Sequence, residues 1–398
     1  MKTKYLALAN IKKVQRTRCL LAGILVAMAP SFASAGVSLQ VGEEGTMNIN
    51  YSVQLWSQYR SYSSPVNSGS SFDTFLRRNR ITFSGQYNDL IGYYGQLEAA
   101  GDSRNGQDDR PVYWRDAYVT LDYSDAVRFI AGRFKNTFSR ENLEACFEPL
   151  TIDRAEAIAY TPFGGTRDTG YAIWGNLADA ALQYRFMLSD GREGDGNNIP
   201  KNSPRYTLRV HWSPLDPEYD YGYRGSYLGT SEVFTIGMAY DYQPNVAYAD
   251  FSNKTDIVDY TAFTVDVFWE QPMSTGTYTL SAAYFDYDTG DAINLNPDPT
   301  LPVNTQLKAS YAKGAYLFPR KVGVGRLQVY FRFEESDYGL EAINLDRTWT
   351  GGGANYYIDG QRLRVTAEFA SISFSEEDPS NASLQDYKQF TTSLQLIF

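Results

Sequence analysis

Arg326, Leu327, Gln328, Val329, Tyr330, Phe331, Arg332 and Phe333 follow one another in the chain, and every second residue is apolar. A helix would return its apolar residues every three or four positions. A period of two is that of a strand with one apolar and one polar face. The same reading recurs at 205–212, where Tyr206, Leu208, Val210 and Trp212 alternate with Arg205, Thr207, Arg209 and His211. At 362–369 Leu363, Val365, Ala367 and Phe369 alternate with Arg362, Arg364, Thr366 and Glu368, and at 182–188 Gln183 and Arg185 sit among Leu182, Tyr184, Phe186 and Leu188. A soluble sandwich alternates as well, but its polar face meets bulk water, where Ser, Thr or Lys serve. Here arginine keeps returning to the polar face, and aromatic residues cluster near strand ends. That is the pattern of an outer-membrane barrel, apolar toward lipid and polar toward a wet interior.

Alternation and turn residues divide the chain into strands near 46–60, 72–88, 90–100, 111–124, 126–135, 168–176, 180–189 and 203–213. Eight more follow near 232–243, 257–270, 275–288, 303–318, 322–337, 346–358, 362–374 and 385–398. The reading is therefore an all-β, transmembrane, antiparallel barrel of sixteen strands, an even number that returns both termini to the periplasmic side. Connections alternate in length as such a barrel requires. Tight turns fall at Asn88-Asp89, Ser124-Asp125, 177–179 and 359–361, and longer polar loops at 61–71, 101–110, 190–202, 244–256, 289–302 and 375–384. Short turns belong to the periplasm and long loops to the outside. Segment 214–231 is the exception, long for a periplasmic turn.

Composition agrees. The 398 residues include 32 Tyr, 22 Phe and 6 Trp, and the charge of −10 argues against nucleic acid as a partner. Residues 1–35 are expected to be a Sec signal peptide: six basic residues precede the apolar stretch Cys19–Met28, and Ala33-Ser34-Ala35 offers a cleavage site. Cleavage would leave a barrel domain of 36–398 with 30 basic and 46 acidic residues, net −16, and Cys146 as its one cysteine. Among those basic residues 23 are Arg and seven Lys, a bias toward the side chain that pairs carboxylates and oxyanions in fixed geometry. No cofactor and no metal are expected, because one His and two Cys supply too few ligands. No GxSxG is present and nothing groups a nucleophile with a base, so an enzyme is not expected.

Three stretches carry a family resemblance. Phe75–Gly85, Trp114–Val119 and Ala131–Glu144 resemble the phosphate-selective porin O and P family, and Gly351–Phe374 with Tyr387–Phe398 looks like that family's last three strands. The resemblance runs over nearly the whole mature chain. It implies a sixteen-stranded, trimeric channel in the bacterial outer membrane with a third extracellular loop folded inward. It does not establish phosphate as the solute.

Segment 136–167, about 30 residues long, exceeds what a connector needs, and a sixteen-stranded barrel leaves an aqueous lumen that something must narrow if it is to select. It is therefore expected to be the constriction loop, with Ser139 capping a helical turn or two. Its acids Glu141, Glu144 and Glu148 would face a basic wall. Alternation places Arg78, Arg80, Arg133, Lys135, Arg205, Arg209, Arg326, Arg332, Arg362 and Arg364 inward, joined by Arg140 of the loop itself, because an arginine facing lipid near the midplane costs about 2–4 kcal/mol. Arg133 and Lys135 are expected to flank an outward Phe134 at the loop base, and Arg77 to face outward near an interface. The Arg set would guide solutes, or only brace the barrel against Asp116, Asp122, Glu98 and Glu368.

The function expected is passive diffusion of small solutes, anions or oxyanions such as phosphate, through a water-filled pore. The alternatives are a weakly selective general porin and a sleeve around a porin–cytochrome electron conduit. Expected partners are outer-membrane lipid and lipopolysaccharide, the barrel-assembly machinery and two further copies in a homotrimer. For assembly the mark is terminal Phe398, which closes an alternating strand through Leu396, Leu394 and Phe390.

Overall fold

A computed structural model describes residues 36–61, 69–100, 111–156, 166–192, 199–250, 252–290, 306–338, 346–375 and 385–398. The expected signal peptide 1–35, residues 157–165 of the expected constriction loop and most of the expected outer loops lie outside these. The strands are β1 (Val37–Val41), β2 (Gly45–Arg60), β3 (Ser71–Gln86), β4 (Ile91–Glu98), β5 (Tyr113–Ser124), β6 (Val127–Lys135), β7 (Arg167–Leu177), β8 (Leu182–Ser189) and β9 (Arg205–Trp212). They continue as β10 (Val233–Asp250), β11 (Thr255–Met273), β12 (Gly276–Asp288), β13 (Leu307–Val322), β14 (Gly325–Tyr338), β15 (Arg347–Asp359), β16 (Leu363–Phe374) and β17 (Tyr387–Ile397).

Strands β2 to β17 pair antiparallel with their sequence neighbours, and β17 returns to β2, so sixteen strands close a barrel with no free edge. Each expected strand has its counterpart. Two differences have physical causes. Strand β1 was not anticipated; it pairs with the start of β2 from Val37↔Ile49 to Val41↔Gly45. It occupies the edge of β2 just beyond the C-terminus, where the backbone of Phe398 exchanges hydrogen bonds with Tyr51 at 2.6 and 2.9 Å. Most of the loop expected at 244–256 is strand, because β10 runs on to Asp250 past a register shift between Gln243 and Ala247. Asn245 there has a φ of 55°, and this irregularity breaks the alternation that would have revealed the extension.

The barrel is inside-out. On β9 the buried side chains are Arg205, Thr207, Arg209 and His211, while Leu208 is 48% and Trp212 49% exposed. Burying polar atoms on the concave face is affordable only when they find partners, and the interior is accordingly a network of ion pairs and amide bonds. Exposed aromatics stand near the rims, Tyr59 and Phe72 at one and Tyr123 and Tyr278 at the other.

Candidate functional site

After Lys135 the chain leaves the wall and turns into the lumen. The loop base is tied by Asn136 N–H to the Thr166 carbonyl at 3.1 Å, and Asn142 Nδ2 donates to the Asn136 carbonyl at 2.6 Å. One helical turn follows, α1 (Arg140–Leu143), with Ser139 Oγ accepting from Asn142 N–H at 3.0 Å. From there the loop meets the wall in many directions. Lys135 Nζ donates to the carbonyls of Leu143 and Glu144 at 3.1 and 2.6 Å. Glu141 pairs with Lys313 of β13 at 2.6 Å. Gln395 of β17 donates to the Phe147 carbonyl at 2.8 Å, Arg364 of β16 to Pro149 at 3.0 Å and Asn355 of β15 to Leu150 at 2.9 Å. Asp153 accepts from Arg78 of β3 at 2.7 Å, and Glu156 N–H donates to Glu334 of β14 at 2.8 Å. A segment bonded to β3, β13, β14, β15, β16 and β17 lies across the barrel interior.

A second segment enters from the opposite end. The connection 214–231 puts Tyr223 1% and Glu218 3% exposed, deep inside. On one side its carbonyls take hydrogen bonds from Asn176, Gln183 and Arg185 of β7 and β8. On the other, Glu270 of β11 accepts from Ser226 Oγ, Tyr227 N–H and Gly229 N–H at 2.8–3.0 Å. In the middle it grips the loop. Arg140 forms a bidentate pair with Glu218, both contacts 2.7 Å, and Ala145 N–H donates to the Tyr223 carbonyl at 2.9 Å. The Tyr223 hydroxyl is a hub reached by Arg185 at 2.8 Å, Arg209 at 3.1 Å and His211 Nδ1 at 2.6 Å.

The inward arginines divide into paired and shared. Arg205 bonds Asp241 and Asp168, Arg209 bonds Asp266, and Arg332 bonds Glu334 and Glu368. Arg326 donates to the Leu228 carbonyl at 3.0 Å. Around Cys146 the balance is different. Arg80, Lys135, Arg154 and Arg167 are its electrostatic neighbours together with Arg78, and Arg115 Nη2 lies 4.0 Å from its sulfur. Those six cations have Glu98, Asp116 and Asp153 as their ion-paired carboxylates. The cations hold the Cys146 thiol well below its ordinary pKa despite burial, which acts the other way. Of the loop acids, Glu148 lies 3.4 Å from Arg224, and Glu144 Oε1 finds no hydrogen-bond partner among the described residues.

Three placements differ from the sequence reading. Arg133 is exposed on the outer face beside Ala117 and Thr169, and Phe134 is the inward residue, 1% exposed among Ile130, Trp174 and Met187. The inward series on β6 is Ile130, Gly132, Phe134, and turning Arg133 inward because a lipid-facing arginine is costly inverted it. Lys135 still reaches the loop, its Nζ donating to the Leu143 and Glu144 carbonyls. Arg362 lies in the turn before β16, exposed and paired with Asp359 at 2.7 Å. Arg77 is not a lipid-facing residue: it is the extra residue of a bulge, since Gln54 pairs with Arg78 and Leu55 with Leu76, and its guanidinium reaches Asp153 at 2.8 Å. Arg115 is likewise the extra residue between the pairs Gln96↔Asp116 and Leu97↔Trp114, aimed at Glu98. The sequence reading missed Arg115, Lys313, Glu218 and Tyr223; the unusual length of 214–231 was the one available signal for the last two.

The model of the phosphate-selective porin O and P proteins matches residues 49–398. The chain belongs to that family. It is an outer-membrane channel, and family and fold place it among porins rather than enzymes. Among solved structures it is similar to Salmonella typhi OmpF in complex with daunomycin, with TM-score 0.60 and 14% identity over 91% of this chain and 100% of that one. It is similar to an anion-selective porin from Comamonas acidovorans, with TM-score 0.55 and 10% identity over 89% and 100%. The trimer form of Vibrio cholerae OmpT gives TM-score 0.53 and 10% identity over 89% and 100%. No curated protein matches this porin.

Proposed function

We propose that this porin passes small anions, oxyanions such as phosphate among them, by passive diffusion, with loop 136–167 as constriction and three copies forming the working unit. The observation that carries the solute class is the gathering of Arg78, Arg80, Arg115, Lys135, Arg154 and Arg167 against Glu98, Asp116, Asp153 and the acidified Cys146 thiol at the loop base, which still leaves cations in excess. In a narrow passage between low-dielectric walls, fixed charges of one sign concentrate the opposite ion, so local excess outweighs the acidic total. The Comamonas porin's anion selectivity supports the solute class, and the trimer form of OmpT supports the three-copy unit.

A weakly selective pore is the second reading, favoured by the balanced ladders elsewhere in the lumen, where Arg205, Arg209 and Arg332 each have carboxylate partners. Against the sleeve of an electron conduit, the loop and the 214–231 segment both cross the bore such a sleeve must keep open. The zero-current potential across a planar bilayer in a tenfold potassium chloride gradient tests the proposal. The expected sign is anion-permeable, with block by millimolar phosphate; a cation-selective potential overturns it.

A further inference from the structure

The other described turns at the terminus-bearing end span few residues, such as 178–181, 274–275 and 323–324, whereas here some twenty separate Trp212 from Val233. The inserted length is spent inside the barrel. Beyond its contacts with both walls, the segment interlocks with the outer loop: Arg140 Nη2 donates to the Arg224 carbonyl at 3.0 Å, Tyr223 N–H to Leu143 at 3.3 Å and Gly225 N–H to Glu148 at 2.9 Å. Lumen-facing side chains on the walls they bridge are sealed, with Gln183, Arg209, Thr264, Glu270, Gln328 and Gln395 each at 0% exposure. Among the described residues, inward side chains with partial access gather mostly near β3–β5, at Thr82, Tyr94, Tyr118 and Thr120, with Asn48 and Asn50 of the adjoining β2 and Arg326 of β14 also half-buried.

We infer that the periplasmic segment 214–231 is a second constriction element, which with the outer loop sets the size limit of the pore and confines passage to the wall of β3–β5. The inference rests on the channel reading above. Loop 136–156 alone cannot seal the walls that 214–231 holds, because the bonds of Gln183, Arg185 and Glu270 go to this segment. Nor is its hold on the loop loose: a Cβ built on Gly225 would lie 2.2 Å from Leu150 N and 2.7 Å from the Glu148 carbonyl oxygen, so only a glycine lets the two backbones meet.

Two variants of the full-length protein test this in planar bilayers and in liposomes with neutral sugars of graded size. In one, residues 217–229 are replaced by four Gly and Ser residues and Arg140→Gln removes the cation left without Glu218. In the other, Gly225→Val wedges segment and loop apart while leaving the residues that bond the walls in the sequence. The shortened protein is expected to conduct about twofold more than the wild type and to admit larger sugars, as a wider lumen would; Gly225→Val should move the same way by less. Heat-modifiable mobility on gels confirms that each variant is a folded barrel, and should the shortened chain fail it, Gly225→Val alone decides. Unchanged conductance and sugar limit in the folded variants, with a conducting wild type, overturn the inference and leave the channel reading intact. Silence of wild type and variants alike overturns both.

Discussion

Arg140 and Glu218 meet in two contacts of 2.7 Å with side chains 0% and 1% exposed, although one comes from an outer loop and the other from a periplasmic turn. The guanidinium also lies over the rings of Phe268 and Tyr223, 3.8 and 4.5 Å from their centroids. A charge so enclosed has no water to fall back on, and the pair is the clasp between two segments that enter the barrel from opposite ends.

Breaking that clasp on one side should therefore be costly. Glu218→Ala leaves Arg140 buried and uncompensated, a change worth about 3–5 kcal/mol, whereas replacing both partners by apolar residues of similar volume should cost far less. The temperature at which the folded gel band is lost should drop strongly in Glu218→Ala and recover in Arg140→Met with Glu218→Leu. Equal losses in both would mean that the pair adds nothing beyond its separate side chains.

Arg133 and Lys135 should behave differently, though only two positions apart. Lys135→Gln removes a cation from the loop base and should shift the reversal potential toward cations. Arg133→Gln, on the outer face, should leave it where it was. Arg364 also helps hold the loop, since it donates to the Pro149 carbonyl at 3.0 Å.

Glu144 supplies a pH signature. Its carboxyl is pushed up to about 8 by burial and by the neighbouring Glu141, against the opposing pull of Lys313, Arg140 and Arg154. The folded state thus prefers the protonated form. Stability from this group is full below the ordinary carboxylate range and is lost as pH rises through about 8. Between pH 7 and 9 the pore should lose thermal stability and anion preference together, and Glu144→Gln should flatten both trends.

Phe398 closes the barrel by backbone bonds to Tyr51 and an edge-on ring contact 5.5 Å away. Deleting it should lower the amount of protein in the outer membrane severalfold while leaving single-channel conductance unchanged. Immunoblots of outer-membrane fractions together with bilayer recordings measure the two; wild-type abundance would show that the seam does not depend on this residue.

Period two decided the strand number and the sidedness of most residues, because it is a local property: each side chain's face follows from its neighbour's. Arg205, Arg209, Arg332 and Arg364 could be turned inward from sequence for that reason, and Ser139 could be read as a cap from its place before a short polar run. Where one residue is added to a strand, the count slips, as at Arg77 and Arg115, and no pattern in the sequence marks the bulge. Phe134 shows the other limit, since an aromatic suits lipid and a packed lumen equally well. What only the tertiary structure decided is which distant groups meet. Glu218 is 78 positions from Arg140, and Lys313 is 172 from Glu141. Such pairings are set by the curvature of a closed sheet, which brings opposite walls within reach of one loop, and curvature leaves no trace in the order of residues along any single strand.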